Sequence, residues 1–120
     1  MRQTDWLAST AELQREAYGF VADPENPAAT SKSIRENVLP LIVEAVELLD
    51  NVSWKYWAHD EPFVNRDEVL KEAVDIGHFL GNILVDAGIT DEEYWAAYRE
   101  KQAINLERQI RGYAVREKHR

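Results

Sequence analysis

At 120 residues the chain is the size of one domain with a single, modest core. Hydrophobic residues make up 45% and charged residues 30%, which excludes wholesale disorder, and the absence of Cys excludes disulfides, thiolate metal sites and cysteine nucleophiles. Twenty-two acidic residues against 14 Lys and Arg give a formal charge of −8, which argues against stable nucleic-acid binding; a polyphosphate ligand would need a cation between it and the protein.

Residues 5–20 read as a first helix, with Trp6, Leu7, Leu13, Ala17 and Phe20 as its apolar positions. Ser9-Thr10-Ala11-Glu12 has capping-box spacing and offers an alternative start at Ser9. The loop Asp23-Pro24-Glu25-Asn26-Pro27 follows. A second helix is expected from the capping box Ser33-Ile34-Arg35-Glu36 to the Trp54–Trp57 region, with Ile34, Val38, Leu41, Ala45, Leu48 and Val52 as its stripe. Pro40 inside it predicts a kink, with two separate helices as the alternative.

Residues 58–64 form the next loop. Asn65 then caps a third helix, with Glu68 at the capping-box position, the stripe Val69, Ala73, Ile76, Leu80, Ile83 and Ala87, and Gly88 at its end. Thr90-Asp91-Glu92-Glu93 opens a fourth helix that runs to about Gly112 or beyond. No segment alternates with period two, so no strands are expected. The predicted fold is all-α, an antiparallel bundle of about four main helices in one domain spanning residues 1–120. No run of about 18 apolar residues predicts a membrane span. No basic segment followed by an apolar run marks a secretory signal, so a cytoplasmic protein is expected.

At about 100° per residue, Glu44, Glu47 and Asn51 fall at one edge of the second helix's apolar arc. On the third helix Glu72 and Asp75 lie at the edge of the Ile76–Leu80–Ile83 stripe, with Glu68, Asn82 and Asp86 nearby. Each helix thus carries two carboxylates at i, i+3, which are neighbours on a helix surface. In isolation such pairs are most often solvated. If the two arcs pack together, both pairs face one cleft, and four crowded carboxylates require a hard divalent ion, Mg²⁺ above all, with Mn²⁺ as its substitute.

Glu44-Ala45-Val46-Glu47 and Glu72-Ala73-Val74-Asp75 resemble the ExxE…ExxD signature of the all-α NTP pyrophosphohydrolases, which include MazG-type enzymes and dimeric dUTPases. Trp54-Lys55-Tyr56-Trp57 and Val74-Asp75-Ile76-Gly77-His78-Phe79 are similar to segments of the dUTPase branch, with Gly77 where a leucine is usual. Tyr98, Lys101, Asn105, Arg108, Gln109, Gly112 and Tyr113 resemble its YxxKxxxNxxRQxxGY element. From Tyr98 to Gly112 these fall within half the helix circumference, so that this polar stripe is either solvated or reads a ligand. The resemblance implies metal ligation by Glu44, Glu47, Glu72 and Asp75. It also implies sugar and phosphate contacts from Lys101, Asn105 and Arg108, and a base-pocket role for Gln14. The implied reaction cleaves between the α- and β-phosphates of a nucleoside triphosphate, releasing monophosphate and pyrophosphate, with Glu44 orienting or deprotonating the water.

The expected substrate is dUTP. The alternatives are dCTP or a non-standard nucleotide, and, in a different class, a helical interaction module without activity. Trp54 and Trp57 read as packing residues, and His78 as structural or interfacial. Ala73 and Gly77 read as a close helix contact, and the basic residues Arg111, Arg116, Lys118 and Arg120 as a solvated end. Val43 and Val46 lie opposite Leu41 on the second helix, and Leu70 and Val74 lie off the third helix's main arc. A second apolar face needs a second partner, so a homodimer or a dimer of dimers is expected.

Overall fold

The structure, a computed structural model, describes residues 5–55, 57–58 and 61–112. These form α1 (Trp6–Tyr18), α2 (Pro27–Leu49), α3 (Arg66–Asp86) and α4 (Asp91–Arg111). Among the described residues there is no strand, only an isolated antiparallel bridge between Val52 and Val64. No helix there is long and apolar enough to cross a membrane.

Several boundaries differ from the sequence reading. α2 begins at Pro27 rather than Ser33, because Asn26 Oδ1 accepts from Ala29 N and Pro27 occupies the first turn, where its missing N–H costs nothing. Pro40 does not divide it: α2 is one helix through to Leu49. It stops short of Trp54–Trp57, where Asp50, Asn51 and Val52 tighten into i→i−3 turns and the chain pairs with the far end of the loop. There Ser53 N donates to Phe63 O at 3.0 Å, and Asn65 N donates to Asn51 O at 2.7 Å.

α1 starts at Trp6, ahead of the Ser9 alternative. Its Thr10 hydroxyl bonds back to Trp6 O at 3.0 Å within the helix, and no local side chain caps it. The cap comes from across the fold: Asp91 Oδ1 accepts from Leu7 N at 2.7 Å and Oδ2 accepts from Ala8 N at 3.0 Å. The caps expected at Asn65 and Thr90 are both present, the latter as a full capping box with Glu93.

α2 lies along α3, α1 crosses α3, and α4 touches only α1. Ser33 bonds to Asp86 and Asn82 to Asn37, while Glu44 meets Glu72, so α2 and α3 run antiparallel. The apolar stripes of both helices are only half-buried, and Leu7 is the one fully buried apolar side chain among the described residues. Close approach of α1 to α3 occurs at Gly81, where an added Cβ would lie 3.0 Å from Thr10 Oγ1 and 3.2 Å from Trp6 Nε1. It does not occur at Gly77, where a Cβ would meet nothing within 4 Å. Beyond Trp95, α4 is exposed along its length.

Candidate active site

The edge positions of the two stripes meet once α2 and α3 pack. Glu44 from α2 and Glu72 and Asp75 from α3 bring carboxylate oxygens within 4.8 Å of one another. Glu47, one turn on from Glu44, stands beside this trio and acts on Glu44 by charge and by side-chain contact. Glu44's carboxyl is pushed up to about 7 from an ordinary 4.5. The largest cause is its close contact with Glu72, which a proton held between the two carboxyls turns into a hydrogen bond. Partial burial and the charges of Glu47 and Glu72 add to it.

Among the described residues Glu72 Oε2 is buried without a hydrogen-bond partner. An unpartnered buried carboxylate oxygen costs stability, and so does crowding of like charges; a bound hard cation relieves both. The all-oxygen donor set of Glu44, Glu72 and Asp75, with Glu47 adjacent, fits such an ion.

Glu44 and Asp75 also line a cavity of about 310 Å³ between α1, α2 and α3. Leu13, Tyr18 and Phe79 give it apolar walls, and Gln14 and Asn82 give it amides. A size of this order, with apolar and aromatic walls interleaved with convergent polar groups, can take a small organic ligand. Gln14 is therefore in the same cavity as two of the acids.

Lys101, Asn105 and Arg108 are not brought there. All three are exposed on the part of α4 beyond Trp95, away from the other helices among the described residues. His78, expected to be structural or interfacial, is exposed and lines the cavity. Trp54 and Trp57 do not pack into a core; they stand edge-to-face at 5.8 Å on the surface, 43% and 60% exposed. Arg111 pairs with Glu107 at 3.2 Å, while Tyr56, Tyr113, Arg116, Lys118 and Arg120 lie outside the described residues.

Sequence reasoning underused Phe79, Asn82 and Asp86. Their signal was present: from Asp75 they continue one face of α3 at steps of three and four residues.

The dUTPase family model matches residues 7–94, which run from α1 through the cavity and the carboxylate cluster into the first turn of α4. No curated protein matches the chain, and no solved structure does. Lys101, Asn105 and Arg108 fall beyond the matched span. A match over most of the chain, on an all-α fold, gives its place: the chain belongs to the all-α dUTPase family, a family of dUTP diphosphatase-type nucleotide hydrolases.

Proposed function

We propose that the protein is a Mg²⁺-dependent nucleoside triphosphate pyrophosphohydrolase that takes dUTP and water to dUMP and pyrophosphate. The observation that carries this reading is the junction of the Glu44–Glu72–Asp75 cluster with the cavity holding Gln14. The acids suit a cation and its phosphates, and the aromatic and amide groups of the same cavity suit a base. Glu44, Glu47, Glu72 and Asp75 would hold Mg²⁺, or Mn²⁺ in its place. The ion, when bound, neutralises phosphate charge and polarises the anhydride for attack. Of the two residues shared by the cluster and the cavity wall, Glu44 is half-buried and Asp75 exposed. Glu44 therefore has the role of orienting the attacking water and taking its proton at a carboxylate oxygen. The reaction is placed in the cytoplasm.

Pyrophosphate release from a panel of deoxynucleoside triphosphates with Mg²⁺ present is the test. Turnover of dUTP is expected, and EDTA should stop it while helical circular dichroism persists. Undiminished hydrolysis in EDTA overturns the cation's role. Turnover of dCTP or a non-standard triphosphate without dUTP reassigns the substrate. An inert interaction module accords poorly with the unpartnered Glu72 Oε2, which has no reason to stay buried among acids.

The working unit in this reading is a homodimer, or an assembly of dimers. The chain exposes 9484 Å², against roughly 6,700 Å² for a folded monomer of this mass. Its radius of gyration is 18.1 Å, against about 14 Å for a compact chain of this length. Val43, Val46, Leu70 and Val74 are exposed, as are Leu106 and Ile110 on α4. Cover by a second copy is the commonest solution for such faces, and it gives α4 a partner's site to which Lys101, Asn105 and Arg108 are supplied. Light scattering at micromolar concentration checks this; a 13.9 kDa monomer with full activity defeats it.

A further inference from the structure

α2 is 23 residues long and packs on one helix only, α3. Leu41 and Leu48 are half-buried on that side. At 3.6 residues per turn the opposite side carries Leu39, Ile42, Val43 and Val46 within an arc of about 100°. They are 66%, 50%, 46% and 57% exposed. Apolar residues at i, i+3, i+4 and i+7 make a face suited to another helix, and no helix covers it among the described residues.

The two ends of this face carry opposite charge. Arg35 stands one turn before Leu39 and Asp50 one turn after Val46; both are exposed, and neither forms an ion pair among the described residues. Lys32 and Glu36, at the Arg35 end, satisfy each other at 3.2 Å. A face that is apolar in the middle, positive at one end and negative at the other complements a copy of itself turned end for end. In parallel, like charge would meet like, and the helix dipoles would be aligned side by side. The register follows as well. Turned about a point between Ile42 and Val43, position 39 meets 46 and position 35 meets 50. A shift of four residues sets Val46 against Arg35 in one direction and Leu39 against Asp50 in the other.

We propose that this face is a two-fold contact between copies of the chain: α2 pairs antiparallel with α2 of a second copy about an axis between Ile42 and Val43, and Arg35 meets the partner's Asp50 at each end. The inference rests on the homodimer reading above and adds its surface, direction and register. Area allows it: the chain exposes more than a compact monomer of its mass by well over the roughly 800 Å² that each partner of a stable dimer covers. The contact also bears on the site. Val43 lies in the seam and Glu44, next in the chain, meets Glu72 on the α3 side, so the second copy backs the helix that carries Glu44.

The chain has no cysteine, so single introduced thiols report the seam without background. A disulfide needs Cα atoms within about 7 Å. Val43→Cys, beside the axis, should cross-link to its own copy under mild oxidation. Leu39→Cys should not, since antiparallel pairing sets the two copies of position 39 roughly 10 Å apart along the helices; it should cross-link when mixed with Val46→Cys subunits. Leu70→Cys, on an exposed apolar position of α3, measures collisional cross-linking. Cross-linking of Val43→Cys no faster than Leu70→Cys overturns the inference, and so does self-linking of Leu39→Cys, the mark of parallel pairing.

Charge exchange gives a second measurement on surface residues that the fold does not need. Arg35→Asp or Asp50→Arg alone sets like charges together at both ends of the seam and should raise the dimer Kd about tenfold by analytical ultracentrifugation. The two changes together swap the charges and should return the Kd to within about threefold of wild type. A double variant as weak as the singles overturns the pairing of Arg35 with the partner's Asp50. A wild type that is a 13.9 kDa monomer loses the homodimer reading and this inference together. A wild-type dimer that neither cross-links through Val43→Cys nor responds to Arg35→Asp keeps the homodimer and loses this inference alone.

Discussion

α3 and α4 are equally long, 21 residues each, and both open on a side-chain cap, yet they end in opposite situations. α3 lies between α1 and α2 and carries two of the three carboxylates of the cluster, while α4 meets only α1 and leaves Ile110 77% exposed. The difference separates what makes a helix from what gives it a place. A capping box and i, i+4 pairs such as Glu107–Arg111 act within the segment. A place in the core needs an apolar face matched by another, and α4 beyond Trp95 finds none among the described residues.

The largest expected effect lies on the α3 side. Glu72→Gln removes a cation ligand and should lower kcat/KM for dUTP by roughly a thousandfold, the equivalent of several kcal/mol. The same change should raise the melting temperature in EDTA, because it relieves Glu44 and the unpartnered Oε2. A fall in metal-free stability would count against like-charge crowding at this site.

On the α4 side, Arg108→Ala should weaken triphosphate binding by about 10- to 100-fold, the value of a charge-assisted hydrogen bond, and leave deoxynucleoside binding and melting temperature nearly unmoved. Mixed dimers sharpen the comparison. If α4 serves the partner's site, co-refolding Glu72→Gln with Arg108→Ala subunits leaves one intact site in each mixed dimer. Activity should then recover to about a quarter of wild type by random pairing of two-fold dimers. No recovery means that α4 does not work in trans.

The joint between the two regions is Asp91, whose carboxylate caps Leu7 N and Ala8 N. Asp91→Ala should destabilise the fold by about 1–2 kcal/mol, read by urea denaturation. A neutral result would show that α1 needs no cap from α4.

The smallest effect is a pH slope. Glu44 has its folded-state pKa raised to about 7 from 4.5, so the folded protein holds a proton that the unfolded chain releases earlier. Its contribution is fully present below about 4.5 and is lost as pH rises through about 7. Melting in EDTA should therefore fall between pH 5 and pH 8 more than melting of Glu44→Gln. Saturating Mg²⁺ should flatten that slope.

Much of the site was legible in the chain because helical periodicity is local. Spacing of three residues put Glu44 with Glu47 and Glu72 with Asp75 at stripe edges, and packing of the stripes brought three of the four together. Gln14 was legible only by its resemblance to a family pattern, since nothing local says which side chain of α1 faces the acids. Trp54 was misjudged for the same reason: whether an aromatic residue packs into a core or stands in solvent depends on what lies opposite.

By itself the sequence determined the helices, the caps at Asn65 and Thr90, the absence of strands among the described residues and the acidic edges of α2 and α3, all set by bonds and periodicities spanning a few residues. Tertiary structure alone decided that Asp91 would cap α1, that Gly81 rather than Gly77 would admit the neighbouring helix, and that Asp86 would lie behind Gln14. These are contacts between residues far apart in the chain, and their energies depend on distances that exist only once the helices have packed.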